Sequence, residues 1–416
     1  MARCRPCGLD PTRHCGLDLP RHCGLDPQPA GHTNARHCGL DLPRHCGLDP
    51  QSVRPHIALG VVSFCTVPAL SDIQIRDPFV VQDGADYYLF GSTDPDIWKA
   101  DGIGFDVYRA TDATLLNWAG PVAAFRPDAD FYARKNFWAP EVYRVGNDWF
   151  LFATFKPRQF IAHTDPRHRG LDPQSTDHTD PRHCGLDPQS AGTEVELRRG
   201  TAILKSSTGT IEGPYLPWSD GPVTPPEWET LDGTLFIADD DTPWMVFCHE
   251  WQQIGDGTIE AMPLTPDLKA AAGPPTTLFR ASDAVWSAPL ANRPPGSYVT
   301  DGPYLYRDSR GYLKCLWSTF NAAGNYVIGE AVSELPDGAP GGILGPWRQA
   351  PMPIFSGDGG HGMLFDGPDA RRYLAVHSPN ATPNERAFFF EVTESPAANP
   401  DSGPAGWLQT TGLTIS

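Results

Sequence analysis

The sequence predicts an all-β chain folded as a five-bladed β-propeller, and three observations lead there. Five successive segments share one plan: a polar residue opens a β-type run, a Gly/Asp turn follows, and a second β-type run ends beside an aromatic residue. The openings fall at Asp77, Glu141, Asp232, Asp301 and His361, and their spacing is nearly even once a tract inserted between Glu141 and Asp232 is set aside. Finally, 44 prolines and 41 glycines interrupt the chain too often for long helices and suit short strands joined by loops. A hairpin cannot bury both its faces alone, so a regular series of hairpins is the signature of a closed ring of blades.

The hairpins run, in order, from Arg76 to Asp94, Trp138 to Phe155, Leu231 to Trp251, Thr300 to Phe320 and Gly360 to Asn380. Their first runs mix aromatic with β-branched and aliphatic residues, as in Phe79-Val80-Val81 and Tyr304-Leu305-Tyr306, the composition of a strand packed on both faces. Asp83-Gly84, Gly146-Asn147 and Asp239-Asp240-Asp241 supply the turns, because glycine and asparagine accept positive φ and aspartate bonds its own backbone.

The tract between the second and third openings repeats the N-terminus. The unit Cys7-Gly8-Leu9-Asp10-Pro11 returns, with small changes, from Cys15, Cys23, Cys38 and Cys46, and again from Arg169 and Cys184. No period of 2 or 3.6 runs through these units, and they carry too little apolar surface to offset the entropy of ordering. Residues 1–56 are therefore expected to be a disordered repeat tail, and 163–192 a disordered insertion in a loop of a single 57–416 domain flanked by Phe155-Lys156-Pro157 and Arg199-Gly200-Thr201. The apolar stretch Ile57–Leu70 lies behind the tail rather than at a basic N-terminus, so it reads as a buried or edge strand instead of a signal segment.

Seven of the ten cysteines lie in the repeats, which leaves Cys65, Cys248 and Cys315. The repeat His-Cys pairs lack metal-ligand spacing, and three leftover cysteines make no disulfide framework, so a reducing, cytoplasmic setting is expected. A net charge of −18 argues against a nucleic-acid partner and suits neutral ligands. No apolar run has the length of a membrane span.

Residues that open successive blades converge at one rim of the propeller axis. Carboxylates gathered there repel one another and raise each other's pKa, a cost that glycoside hydrolysis explains: one carboxyl stays protonated to serve the leaving oxygen while another, ionised, activates water or attacks the anomeric carbon.

The segments Ile75-Arg76-Asp77-Pro78-Phe79-Val80, Phe137-Trp138-Ala139-Pro140-Glu141-Val142, Leu231-Asp232-Gly233-Thr234-Leu235-Phe236, Val299-Thr300-Asp301-Gly302-Pro303 and Gly359-Gly360-His361-Gly362-Met363 resemble glycoside hydrolase family 43, five-bladed enzymes acting on arabinose- and xylose-containing polysaccharides. The resemblance spans about Ser71 to Val392. It implies an inverting glycosidase, arabinofuranosidase- or xylosidase-like, with an oligo- or polysaccharide substrate, Asp77 as general base and Asp232 as the residue that tunes the acid. The family's acid is a glutamate in a T-E-G-P setting, where this chain has Asp301. Glu250, which closes the hairpin opened by Asp232, is the expected replacement, with Asp301 the alternative. Glu141 is expected to accept bonds from sugar hydroxyls or to pair with Arg76 or Arg134, Arg76 to line the substrate site, and Trp138, Trp251 and Trp317 to stack on sugar or pack between blades. His361 matches a fifth-blade histidine that in some members lies near an axial calcium; no cofactor is required, and a hydrogen-bonded axial histidine is the simpler expectation.

Two other functions stay open. A retaining, fructoside-cleaving propeller would also open its first blade on an aspartate, but no W-M-N-D-P-N-like or E-C-P segment occurs. The aspartate in the acid's place and the repeat insertion also fit a sugar-binding or decayed propeller.

Overall fold

Every blade begins with a strand that breaks its own register at the rim of the axis. In the computed structural model, which describes residues 67–161, 193–395 and 406–416, the first blade is β1 (Arg76–Asp83), β2 (Asp86–Ser92), β3 (Phe105–Ala110) and β4 (Trp118–Phe125). The second is β5 (Ala133–Val145), β6 (Asp148–Ile161), β8 (Gly200–Ser206) and β9 (Tyr215–Pro222), with β7 (Thr193–Glu196) paired to the far end of β6. The third comprises β10 (Thr230–Ile237), β11 (Pro243–His249), β12 (Thr258–Pro263) and β13 (Thr276–Arg280). The fourth is β14 (Asp301–Arg307), β15 (Leu313–Phe320), β16 (Tyr326–Ser333) and β17 (Trp347–Gln349), and the fifth β18 (Gly360–Asp366), β19 (Arg372–Ser378), β20 (Arg386–Glu394) and β21 (Leu408–Ile415). Each is an antiparallel meander in chain order, so the five-bladed expectation holds.

The register break is the same in all five. Between Arg76 and Phe79, Trp138 and Glu141, Leu231 and Thr234, Asp301 and Tyr304, and Gly360 and Met363 the first strand bulges against the second. In each bulge one residue takes positive φ: Asp77 at 53°, Ala139 at 46°, Asp232 at 55°, Gly302 at 51° and His361 at 53°. Such a conformation is strained for any residue but glycine, and a bulge re-aims a side chain out of the strand's alternation. The equivalent positions are thus Asp77, Ala139, Asp232, Gly302 and His361. Glu141 and Asp301, expected as equivalent openings, lie two residues after and one residue before the repeated position, because the bulge rather than the first acidic residue sets the register.

The bulges are also tied from blade to blade. Ser92 Oγ accepts from Ala139 N at 2.9 Å, Thr154 Oγ1 from Asp232 N at 2.9 Å, Ser318 Oγ from His361 N at 2.8 Å, and His377 Nδ1 from Asp77 N at 3.2 Å. The last of these joins the fifth blade to the first and closes the ring, helped by a bridge between Gln74 and Arg386. Between blades the core is aromatic: Phe105, Phe125, Phe131, Phe137 and Phe155 pack largely edge-to-face, the arrangement their ring quadrupoles favour.

The tail 1–56 and the insertion 163–192 lie outside the described residues. The ribbon that carries the insertion is longer than its expected flanks, since β6 and β7 pair from Arg158 with Glu196 out to Ile161 with Thr193. The stretch Ile57–Leu70 is described only from Val67, and Leu70, buried, begins a 3-10 turn, Leu70–Asp72, rather than a strand. Cys248 and Cys315 are free and buried. Among the described residues no helix is long and apolar enough to cross a bilayer.

Candidate active site

The bulges aim Asp77, Asp232 and His361 into a cleft of about 330 Å³ that Arg76, Trp138, Glu250, Trp251 and Asp301 also line. Asp77 is 7% exposed and Asp232 6%, so both carboxyls are cut off from bulk water and depend on their neighbours for charge. His361 Nδ1 lies 3.3 Å from Asp77 Oδ1 and 3.6 Å from Asp232 Oδ2, between the two.

Their electrostatics diverge. Burial acts to raise Asp77, but His361, Arg76 and His377 beside it, with the Ser92 hydroxyl donating at 2.8 Å, outweigh burial and hold it below the ordinary range. Asp232 is pushed up to about 8, by burial first and then by the Asp77 charge, against the opposing hydrogen bond from Gly302 N at 3.0 Å. Asp301 is raised to about 7 by burial and by Asp232, with the Tyr326 hydroxyl donating to Oδ2 at 3.0 Å in opposition. Burial also lifts Glu250 to about 7, although Arg199 Nη2 donates to its Oε2 at 2.9 Å. His361 is lowered by burial, against the pull of the Asp77 and Asp301 charges.

Glu250 follows the end of β11. Its N–H donates to Glu229 O at 2.9 Å, and its carbonyl accepts from Gln253 N as the short helix α1 (Trp251–Ile254) begins. His249 stacks on Trp228 at 4.1 Å between centroids, and Gln253 meets His249 Nε2 and Glu229 N. The segment that aims Glu250 is therefore braced on both sides.

Two expected site residues lie elsewhere. Glu141, buried and pushed up to about 8 chiefly by burial, is hydrogen-bonded to Tyr143, which reaches Thr234 at 2.7 Å; it is not among the residues lining the cleft. Its expected pairing with Arg76 or Arg134 is replaced by these hydroxyls, and Arg76 instead binds Glu385 at 2.9 Å and Asn380 at 2.7 Å. Trp317 is fully buried, packed on Trp286 and Phe279 at 5.2 and 5.5 Å with its Nε1 on Gln349, so it joins blades and offers no face to a sugar. Trp138 lines the cleft edge, with the Arg199 guanidinium over its ring at 5.2 Å. Trp251 lines it half-buried.

Sequence reasoning missed Trp98, Arg199 and Tyr326. Trp98 is 52% exposed on the cleft, held by its Nε1 on Thr382 and by Arg76 over its ring at 5.4 Å. It lies in the loop between β2 and β3, where periodicity gives no signal. Arg199 follows the repeat tract, and only the fold sets it against Glu250. Tyr326 opens a third strand rather than a first.

Among the described residues no group of three or more His, Cys, Asp or Glu is arranged for a metal ion, and His361 Nδ1 faces the two aspartates.

Solved structures share this architecture. An endo-arabinase from Bacteroides thetaiotaomicron VPI-5482 is 31% identical, with a TM-score of 0.62 over 79% of this chain and 98% of that one. An endo-1,4-beta-xylanase from the same organism, at 21% identity and TM-score 0.56 over 84% of this chain and 98% of that one, and an alpha-L-arabinofuranosidase from Lactobacillus brevis, at 17% and 0.55 over 82% and 98%, share the fold. No match is found among curated protein sequences. The profile of glycosyl hydrolases family 43 matches residues 70–393, from the turn before β1 into β20 and so every strand but the last of the fifth blade, and the chain belongs to that family.

Proposed function

We propose that this glycosidase hydrolyses arabinose-containing oligo- or polysaccharides with inversion, using Asp77 as general base, Glu250 as general acid and Asp232 to tune the acid. The observation that carries the reading is the split in one cleft between a carboxylate held ionised, Asp77, and carboxyls held near or above neutrality, Asp232, Glu250 and Asp301. Such a split assigns base and acid. Asp77 takes a proton from water as the water oxygen bonds to the anomeric carbon. The glycosidic C–O bond breaks, and Glu250 gives its proton to the departing oxygen. Asp77 ends protonated and Glu250 ionised, and solvent restores both.

The likeness to an endo-arabinase supports arabinose over xylose. A cleft near the small end of ligand pockets, about 300–1,000 Å³, suits a short segment of a sugar chain, with Trp98 and Trp251 placed to stack on it. Hydrolysis of arabinan, nitrophenyl arabinofuranoside and nitrophenyl xyloside, with proton NMR of the first anomer released, tests the reading. Activity on xyloside alone would reject the substrate, and retained configuration the mechanism.

A second assignment of the acid rests on Asp301. It is half-buried in the cleft beside Asp232, whereas Glu250 must keep its proton next to Arg199.

A further inference from the structure

One blade junction departs from the pattern of the other four. Where each second strand pairs with the residue before the bulge, the partners are Ser92, Thr154, Cys248, Ser318 and His377. Three hydroxyls and one imidazole each accept the bulge N–H of the next blade. At the junction of the third and fourth blades the equivalent residue is Cys248, a fully buried thiol that interacts with Thr300 and is a weak acceptor. There the bulge N–H of Gly302 goes to Asp232 Oδ2 at 3.0 Å. A side chain at position 302 would come within 2.7 Å of the His361 ring, so this amide belongs to a glycine seated against the axis.

We propose that Cys248 is a positioning residue: by withholding the acceptor that the other junctions supply, it leaves the Gly302 N–H to orient Asp232 and to favour its ionised form. The proposal rests on the role given to Asp232 above. Asp232 faces Asp77, Glu250, Arg76, His361, Asp301, Glu141 and Tyr326. Among carboxyls crowded this closely, protons are shared, and the group with the better donors carries the charge. The Gly302 N–H opposes the burial that pushes Asp232 up to about 8, and so keeps a share of the charge on Asp232 and of the proton on the acid opposite. An oxygen at position 248 competes for that N–H. Asp232 then takes up a proton more readily, its repulsion of the acid weakens, and the acid ionises at lower pH.

The test is the pH dependence of kcat/KM for the full chain carrying Cys248→Ser, Cys248→Thr or Cys248→Ala. Serine is nearly isosteric with cysteine, and threonine already serves this purpose at position 154. Either oxygen-bearing variant should move the basic limb to lower pH by about one unit and lower activity at neutral pH by about fivefold. Alanine, which like the thiol competes poorly for the amide, should keep the wild-type limb while losing stability through its cavity. A packing role alone predicts the reverse order, with serine mild and alanine worse. A wild-type profile for the oxygen variants, or an equal shift for alanine, overturns the proposal. Asp232→Asn separates this failure from that of the underlying reading: if it retains wild-type kcat/KM, the role of Asp232 falls and the proposal with it. If it is inactive while the oxygen variants keep the wild-type limb, only the role of Cys248 falls.

Discussion

Asp77 differs from the three other carboxyls on the cleft because of fixed neighbours: a guanidinium, two imidazoles and a hydroxyl gather on it, while Asp232 and Glu250, buried, and Asp301, half-buried, are crowded with one another's charge. This predicts the shape of the pH profile. The base must be ionised, so kcat/KM falls on the acid side only below the ordinary aspartate value of about 3.9. The acid must be protonated, so activity falls as pH rises through about 7. A profile that keeps climbing to pH 9 would contradict the assignment. Asp77→Asn should fold normally and lose roughly 10²–10⁴-fold in kcat, and near-wild-type turnover would remove the base. The acid is identified by the leaving group: nitrophenolate departs without a proton and a sugar alkoxide does not. Glu250→Gln should therefore impair arabino-oligosaccharide hydrolysis far more than nitrophenyl glycoside hydrolysis. If Asp301→Asn shows that signature and Glu250→Gln does not, Asp301 is the acid.

At the scale of the strand, the bulge explains both what the sequence revealed and what it hid. The hairpins were legible because aromatic and aliphatic runs bracketed by Gly and Asp turns have few other readings. Asp77 and Asp232 were singled out by the family resemblance of their segments, and both occupy the positive-φ position itself. Glu141 and Asp301 were misaligned because a bulge inserts a residue without any residue type marking it: alanine takes the strained conformation in one blade and glycine in another. Trp317 stayed open between stacking on sugar and packing between blades because a strand-end tryptophan has the same sequence context whether its ring faces the cleft or the next blade. Arg199, Trp98 and Tyr326 were hidden because their place at the site comes from tertiary packing. The stitches between blades make a separate prediction. Thr154 Oγ1 satisfies the N–H of Asp232 at 2.9 Å within a fully buried junction. Thr154→Val keeps the shape and strands that donor, at a cost of about 1–3 kcal/mol. Urea unfolding should show the midpoint falling with an unchanged m-value; an unmoved midpoint would mean that the junction does not depend on this bond.

For the molecule as a whole, the ring is complete without the repeats. The fifth blade closes onto the first through His377 and Asp77 and through the bridge from Gln74 to Arg386, and every residue of that closure lies beyond position 70. The second repeat tract departs and returns at Ile161 and Thr193, which are paired with each other, so its ends already stand at hairpin distance. Deleting residues 1–56 and replacing 163–192 with a short turn should therefore leave kcat/KM unchanged. Stability should rise slightly, because each halving of a closed loop recovers about 0.6 kcal/mol of chain entropy. Shortening a loop of this size to a tight turn then raises the melting temperature by a few degrees, at roughly 2–4 °C per kcal/mol. The measurement is thermal unfolding and arabinan hydrolysis of the full and the doubly deleted chains side by side. If the deleted chain melts lower, or folds with the same melting temperature and loses activity, the tracts contribute contacts to the propeller or to its cleft, and the domain is larger than its five blades.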